Sequence, residues 1–170
     1  MKKIILTLSI VLITLIAFSQ KFAYVDSDYI LKNIPAYEAA QAQLDQMSVE
    51  WQKEIEALYA EIDKLYKNYQ TEKVLLTEEM KTKREDEIIA KEKEAKTIQK
   101  KYFGKEGELY KKRQELIKPI QDDIFNAVRE ISTEGNYAVI FDTSGGLTML
   151  YTDPKYDRSD EVLEKLGYKN

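Results

Sequence analysis

Two short stretches hold the side chains best suited to chemistry. Val25-Asp26-Ser27-Asp28 groups two carboxylates with a hydroxyl, and Thr143-Ser144-Gly145-Gly146 sets two hydroxyls beside a pair of glycines. The first could face a cation, but its acids lack the spacing of a calcium loop and read better as helix-capping sequence. The second could be a phosphate loop or a nucleophile turn. Neither G-x-x-x-x-G-K-[ST] nor G-x-S-x-G is present, and Gly-Gly between apolar runs is a hairpin-turn signal. The chain has no His and no Cys. It therefore lacks the commonest general base, any Ser-His pair, most zinc ligand sets and every disulfide. The expectation is a protein that is not an enzyme and needs no cofactor or metal.

What remains is the chemistry of association. One stripe with a spacing of seven holds Ile88, Ala95, Tyr102, Leu109 and Leu116; its neighbour holds Ile89, Lys96, Phe103, Tyr110, Ile117, Ile124 and Ile131. Tyr59 and Tyr66 form a similar shoulder earlier in the chain. A pair of helices needs one apolar stripe each to close. The second stripe is surplus. From Leu116 to Ile131 a wide face is expected to pack inward. Elsewhere Tyr59, Tyr66, Ile89, Phe103 and Tyr110 are expected to stay partly exposed and to bind, since exposed apolar patches mark interaction sites and tyrosine suits a wet apolar surface.

The elements that position these residues follow from periodicity. Phe22–Val25 is a short β-prone run. Asp26, Ser27 and Asp28 can cap a short helix, and Pro35 suits the first turn of the next one. Ala40, Leu44, Met47, Trp51, Ile55, Leu58, Ile62, Leu65 and Tyr69 then recur every three or four residues, a coiled-coil seam with one stutter near Trp51. Thr77 can cap a return helix from Glu78 to Glu134, which Gly135-Asn136 ends. Two long helices joined by a short link must form an antiparallel hairpin. Residues 36–80 carry ten acids and four bases, and residues 81–113 carry twelve bases and seven acids, so the two helices attract each other. Gly104, Gly107 and Pro119 are weak points in the return helix.

The hairpin returns the chain to its start, so strands on either side of it meet at its base. Tyr137–Asp142 and Leu147–Tyr151 are expected as a β-hairpin around Thr143–Gly146, with Phe22–Val25 as a third strand. Asp153-Pro154 turns the chain, and Ser159 is expected to cap a last short helix closed by Gly167. The fold class is α+β: a small β-sheet body with a long helical-hairpin arm. Residues 20–34 and 119–170 form the body, and 35–118 the arm. A body this small rarely stands alone, and three strands leave two open edges. An oligomer is expected through Phe22, Tyr24, Val139, Ile140, Phe141, Leu147 and Met149.

The first nineteen residues belong to neither part. Met1-Lys2-Lys3 and the apolar run Ile4–Phe18, with Ala17 and Ser19 before a cut at Gln20, form a secretory signal pattern that is short for a bilayer span. The mature chain is expected to be exported and not membrane-spanning. Its formal charge of −4 becomes more negative by two once Lys2 and Lys3 are removed. That balance argues against nucleic acid as a partner.

The opening FAYVDSDYIL with IPAY after it, the segment QELIKPIQDDIFNAVREI, the strand NYAVIFD and the closing DPKYDRSDEVLEKL together resemble the Skp/OmpH family of periplasmic chaperones. The resemblance runs over the whole mature chain, and its closing pieces are the more specific. It implies a homotrimer, with a β-body and three helical tentacles around a cavity. It also implies an ATP-independent holdase for unfolded outer-membrane β-barrel proteins in the periplasm. The acidic balance departs from the basic members of that family and puts lipopolysaccharide binding in doubt. The alternative is a structural coiled-coil spacer or envelope scaffold, for which a polar outer surface is expected.

Overall fold

The computed structural model describes residues 21–146 and 149–168. The expected signal segment 1–19, and Leu147 and Thr148 of the expected strand Leu147–Tyr151, lie outside these residues. The chain divides into two compact units, one of residues 21–33 and 123–168, the other of Ile34–Asp122.

The second unit is a helical hairpin. Pro35 opens helix α2 (Pro35–Glu72), following the short α1 (Ser27–Lys32). At 1.5 Å per residue, the 38 residues of α2 reach about 57 Å. A single turn of tighter helix, Lys73–Leu75, ends it. Thr77 then accepts a hydrogen bond from the Met80 N–H at 3.3 Å and starts α3 (Glu78–Phe103). Glu78 and Glu79 occupy the first turn of α3, where its dipole favours acids.

Helix α3 runs antiparallel to α2. Its partners recede along α2 as α3 advances. Tyr69 donates to Glu85, Arg84 pairs with Glu72 at 3.7 Å, Lys91 with Glu61 at 3.4 Å, and Tyr102 donates to Glu54 at 2.9 Å. The expected seam turns inward: Leu44, Ile55, Ile62 and Tyr69 of α2 are buried, as are Ile88 and Ala95 of α3. The cross-helix ion pairs are acidic on α2 and basic on α3, as the charge asymmetry implied. They are partly exposed, so each contributes only ~0–1 kcal/mol. Their role is to choose the partner, while the seam supplies the stability.

The return helix differs from expectation. It is three helices: α3, α4 (Glu108–Leu116) and α5 (Lys118–Gly135). At Gly104 the backbone passes so close to itself that a Cβ would lie 2.3 Å from the Lys100 carbonyl oxygen. At Gly107 a Cβ would lie 2.7 Å from the Tyr102 oxygen. Only hydrogen fits at either position, so the glycines permit a tight break that a side chain would block. The second break, at Ile117, is slight. Pro119 has no N–H to give, yet Gln121 N–H bonds Ile117 C=O at 3.1 Å and the helix resumes.

The other unit holds the sheet. Strand β1 (Lys21–Val25) pairs in parallel with β2 (Tyr137–Asp142), placing Phe22 opposite Val139, Ala23 opposite Ile140 and Tyr24 opposite Phe141. Parallel pairing needs a long crossover, and the whole hairpin unit lies between these strands in sequence. The expected three-stranded sheet is not formed among the described residues. Thr143–Gly146 does turn, with Gly146 at φ +82°, but Met149–Tyr151 form no strand. The physical reason is competition for the chain after β2. The Thr143 N–H and hydroxyl both bond the Val25 carbonyl, at 2.9 and 3.1 Å, and draw the turn toward β1. The other side of β1 is met by residues 157–158: Arg158 N–H donates to Tyr24 C=O at 2.9 Å.

Asp26 caps α1 as expected, accepting from Tyr29 N–H at 3.0 Å. The last helix, α6 (Ser159–Lys165), starts differently. Ser159 is its first residue and not its cap. Its buried hydroxyl accepts from Asp26 N–H at 2.9 Å and donates to Asp157 at 2.6 Å, and Asp157 also accepts from Ser159 N–H. That small network fastens the N-termini of α1 and α6 together. Ile30, Val162 and Leu163 are buried where these helices pack, and Ile124, Ala127 and Ile131 form the buried stripe of α5. Asn136, in the left-handed region at φ 51°, ends α5. No helix among the described residues is long and apolar enough to cross a membrane.

Candidate binding surface

Each unit carries its own apolar surface. In the hairpin unit, Tyr59 and Tyr66 each follow a seam residue, Leu58 and Leu65, so the helical rotation places them at the flank of the seam, exposed. Ile89 follows buried Ile88 in the same way and is 59% exposed. Tyr110, in the first turn of α4, is also exposed. Phe103 is partly buried. Its ring meets Trp51 edge-on at 6.3 Å and 82°, while Tyr102 lies flat on Trp51 at 4.7 Å and 3°. This aromatic trio stands immediately before the glycine break. The five residues are spread over three helices and do not gather in one pocket.

Sequence periodicity overlooked three residues of this surface. Val74 and Leu75, in the turn of the hairpin, are 88% and 83% exposed, and Met80 is half-exposed beside them. The signal was present in the run Val74-Leu75-Leu76. Only Leu76 is needed to close the seam, where it packs against the cluster of Ile62, Tyr69, Ile88 and Ala95.

Two tyrosine–glutamate contacts shift phenols along the hairpin. The hydrogen bond to Glu85, with burial and the charges of Glu85 and Glu78 adding to it, pushes the Tyr69 phenol up to about 12. The hydrogen bond to Glu54 raises Tyr102 in the same direction. Both phenols are held protonated as donors.

In the sheet unit, Phe22 and Phe141 stack at 6.5 Å, and both are exposed, as is Val139. Tyr24, Ile140 and Met149 are partly buried. Phe22, Tyr24, Phe141 and Met149 line a groove of about 850 Å³ with Tyr137, Tyr151, Tyr156, Lys21 and Arg158. Arg158 anchors one wall, donating to the Tyr137 hydroxyl at 2.7 Å with its guanidinium 5.4 Å from that ring. The strand β2, nearly all apolar in sequence, thus leaves most of its side chains outside the single chain's core. Tyr151, Tyr156 and nearly fully exposed Leu150 add to the apolar surface of this unit and had not been expected there.

The polar stretches that opened the sequence are spent on fastening. Asp142 accepts from the Ser27 N–H at 3.2 Å and hydroxyl at 2.7 Å, and from the Ser144 N–H at 3.0 Å. Burial would raise this carboxyl, but the serine hydrogen bonds outweigh it and hold it below the usual range. The arrangement ties the end of β2 to the start of α1.

Both units bear surface suited to association. The sequence profile described as outer membrane protein (OmpH-like) matches residues 21–166. The chain belongs to the OmpH-like family. This is the family that FAYVDSDYIL, NYAVIFD and DPKYDRSDEVLEKL resembled. An uncharacterized protein of Aquifex aeolicus (strain VF5) is 29% identical over 155 residues, 91% of each chain. The crystal structure of a candidate outer membrane chaperone (OmpH-like) from Caulobacter crescentus CB15 matches the OmpH-like chain with a TM-score of 0.66 at 13% identity. The match covers 86% of this chain and 83% of that one, and at such identity it speaks for the fold.

Proposed function

We propose that this OmpH-like protein is an ATP-independent holdase chaperone of the periplasm that binds unfolded outer-membrane β-barrel proteins and prevents their aggregation. One observation carries the reading. The hairpin unit closes its own seam and still leaves Tyr59, Tyr66, Ile89 and Tyr110, with Val74 and Leu75 at its turn, open to solvent. Burying one such side chain against a client is worth roughly 1–2 kcal/mol, which is weak alone. Several in one particle act together, because each further contact forms at high effective concentration. Weak, repeated and sequence-tolerant contacts suit a client with no fixed shape. Family membership and the likeness to the Caulobacter chaperone candidate support the same assignment.

Residues 35–118 are the client-binding arm in this reading, and residues 20–34 and 119–170 are the oligomerisation body after export by a signal peptide over residues 1–19. The exposed faces of Phe22, Val139 and Phe141, with Tyr24, Ile140, Leu147 and Met149, would join copies into a homotrimer. The spacer reading is disfavoured by the exposed apolar side chains of the hairpin, which a scaffold would replace with polar ones. The deciding experiment dilutes a urea-unfolded β-barrel protein into buffer with and without the purified chain and follows light scattering. A holdase suppresses the rise at near-stoichiometric amounts. A scattering curve unchanged by the chain rejects the proposal.

A further inference from the structure

The two sides of the hairpin unit are not alike. Helices α2 and α3 run antiparallel and share one seam, and successive residues of a helix turn by about 100°. Because the two helices run in opposite senses, the residue after a seam position projects to the same side from either helix. The residue before a seam position projects to the other side. Tyr59 follows Leu58, Tyr66 follows Leu65, Ile89 follows Ile88 and Phe103 follows Tyr102, so these four share a side. The residues on the other side are charged: Glu54 precedes Ile55, Glu61 precedes Ile62, Glu87 precedes Ile88 and Glu94 precedes Ala95.

The polar groups of the two sides differ as well. On the charged side they are engaged. Glu54 accepts from the Tyr102 hydroxyl at 2.9 Å, Glu61 and Glu94 share Lys91 at 3.4 Å, and Glu87 pairs with Arg84 at 3.4 Å. On the tyrosine side Gln70 follows Tyr69 and Gln99 follows Ile98. Tyr59, Tyr66, Gln70 and Gln99 are exposed and have no hydrogen-bond partner among the described residues. Two acids of α2 on this side are satisfied within their own helix, Asp63 by Lys67 at 2.6 Å and Glu56 by Gln52 at 3.2 Å. A phenol or a carboxamide both donates and accepts, whereas a carboxylate only accepts and an ammonium only donates. An unfolded polypeptide makes that mixed demand, since each residue other than proline carries one backbone N–H and one C=O. In an extended strand alternate side chains face opposite ways. A strand with alternating character can therefore turn its apolar set to Tyr59, Tyr66 and Ile89 and its polar set to water. Resting on the holdase function proposed above, we infer that the client is held on one side of the hairpin only, as an extended alternating segment whose backbone exchanges hydrogen bonds with Tyr59, Tyr66, Gln70 and Gln99. The side of Glu54, Glu61, Glu87 and Glu94 stays in water. Recognition is of backbone and apolar pattern, and no particular sequence is read.

The test places a photoactivatable benzoylphenylalanine at matched exposed positions of α2, one of each pair on either side: Tyr59 and Ala57, Tyr66 and Lys64, Gln70 and Asn68. Each chain is irradiated with a β-barrel protein freshly diluted from urea. Adducts from Tyr59, Tyr66 and Gln70 should exceed those from Ala57, Lys64 and Asn68 severalfold. A second measurement leaves the tyrosines in place. Q70E/Q99E removes the two carboxamide donors and should weaken suppression of light scattering severalfold, while N68E/T97E on the other side should leave it unchanged. Circular dichroism should show the parent's helix content in both. Equal adduct yields from the two sides, full suppression by Q70E/Q99E, or a matching loss in N68E/T97E would overturn the inference and leave the holdase reading standing. A parent chain that neither suppresses scattering nor gives adducts at any of the six positions would overturn both.

Discussion

Tyr69 is the residue whose environment is most sharply set. Its phenol is pushed up to about 12 by the hydrogen bond to Glu85, against an ordinary value near 10. A raised phenol means the folded chain keeps a proton that the unfolded chain gives up. The associated stability is therefore fully present below about pH 10 and is lost as pH rises from about 10 to about 12. Circular dichroism should show urea midpoints falling across that window, and Tyr69→Phe should flatten the fall. An equally steep fall in the phenylalanine variant would show that Tyr69 is not its source. The paired isoleucines make a second contrast. Ile55 is buried in the seam, so Ile55→Ala is expected to cost about 2–5 kcal/mol. Ile89 is exposed, so Ile89→Ala should stay within about 0.5 kcal/mol of the parent in urea melts. Equal costs at both positions would mean that Ile89 is packed.

Among the elements, the break between α3 and α4 is the feature a single substitution tests best. A Cβ at Gly104 would collide with a backbone carbonyl, which has no rotamer to escape by. Gly104→Ala and Gly107→Ala should each lower the melting temperature, although alanine is the better helix former. A gain in both stability and helix content would mean that the return helix prefers to run through. The seam of α2 was legible because nine apolar positions repeat one helical period and each reads only its local turn. The glycine break was legible as weakness but not as geometry, since the close approach to Lys100 depends on where the backbone goes. Met149–Tyr151, expected in a strand, form none for a related reason. Gly145-Gly146 signals a turn locally, while the partner that captures the turn, the Val25 carbonyl, lies more than a hundred residues earlier. Ser159 shows the same limit: its type suggests a cap, and its use is set by Asp26 and Asp157.

For the whole molecule, the exposed aromatic face of β1 and β2 bears on assembly. Ile140 lies partly buried in β2, and an aspartate there would be costly to enclose, by several kcal/mol. Ile140→Asp is expected to reduce the mass measured by light scattering to that of a single chain, leaving the hairpin helical; an unchanged mass would remove this face from the interface. The central claim concerns the other surface, the apolar side chains that the hairpin's own seam leaves uncovered. The most direct measurement replaces Tyr59, Tyr66, Ile89 and Tyr110 together by serine and compares this variant with the parent. The comparison follows suppression of aggregation of an unfolded β-barrel protein, with helix content and mass checked alongside. Suppression should drop severalfold while helix content and mass stay as in the parent. Full suppression by the substituted chain would contradict the account.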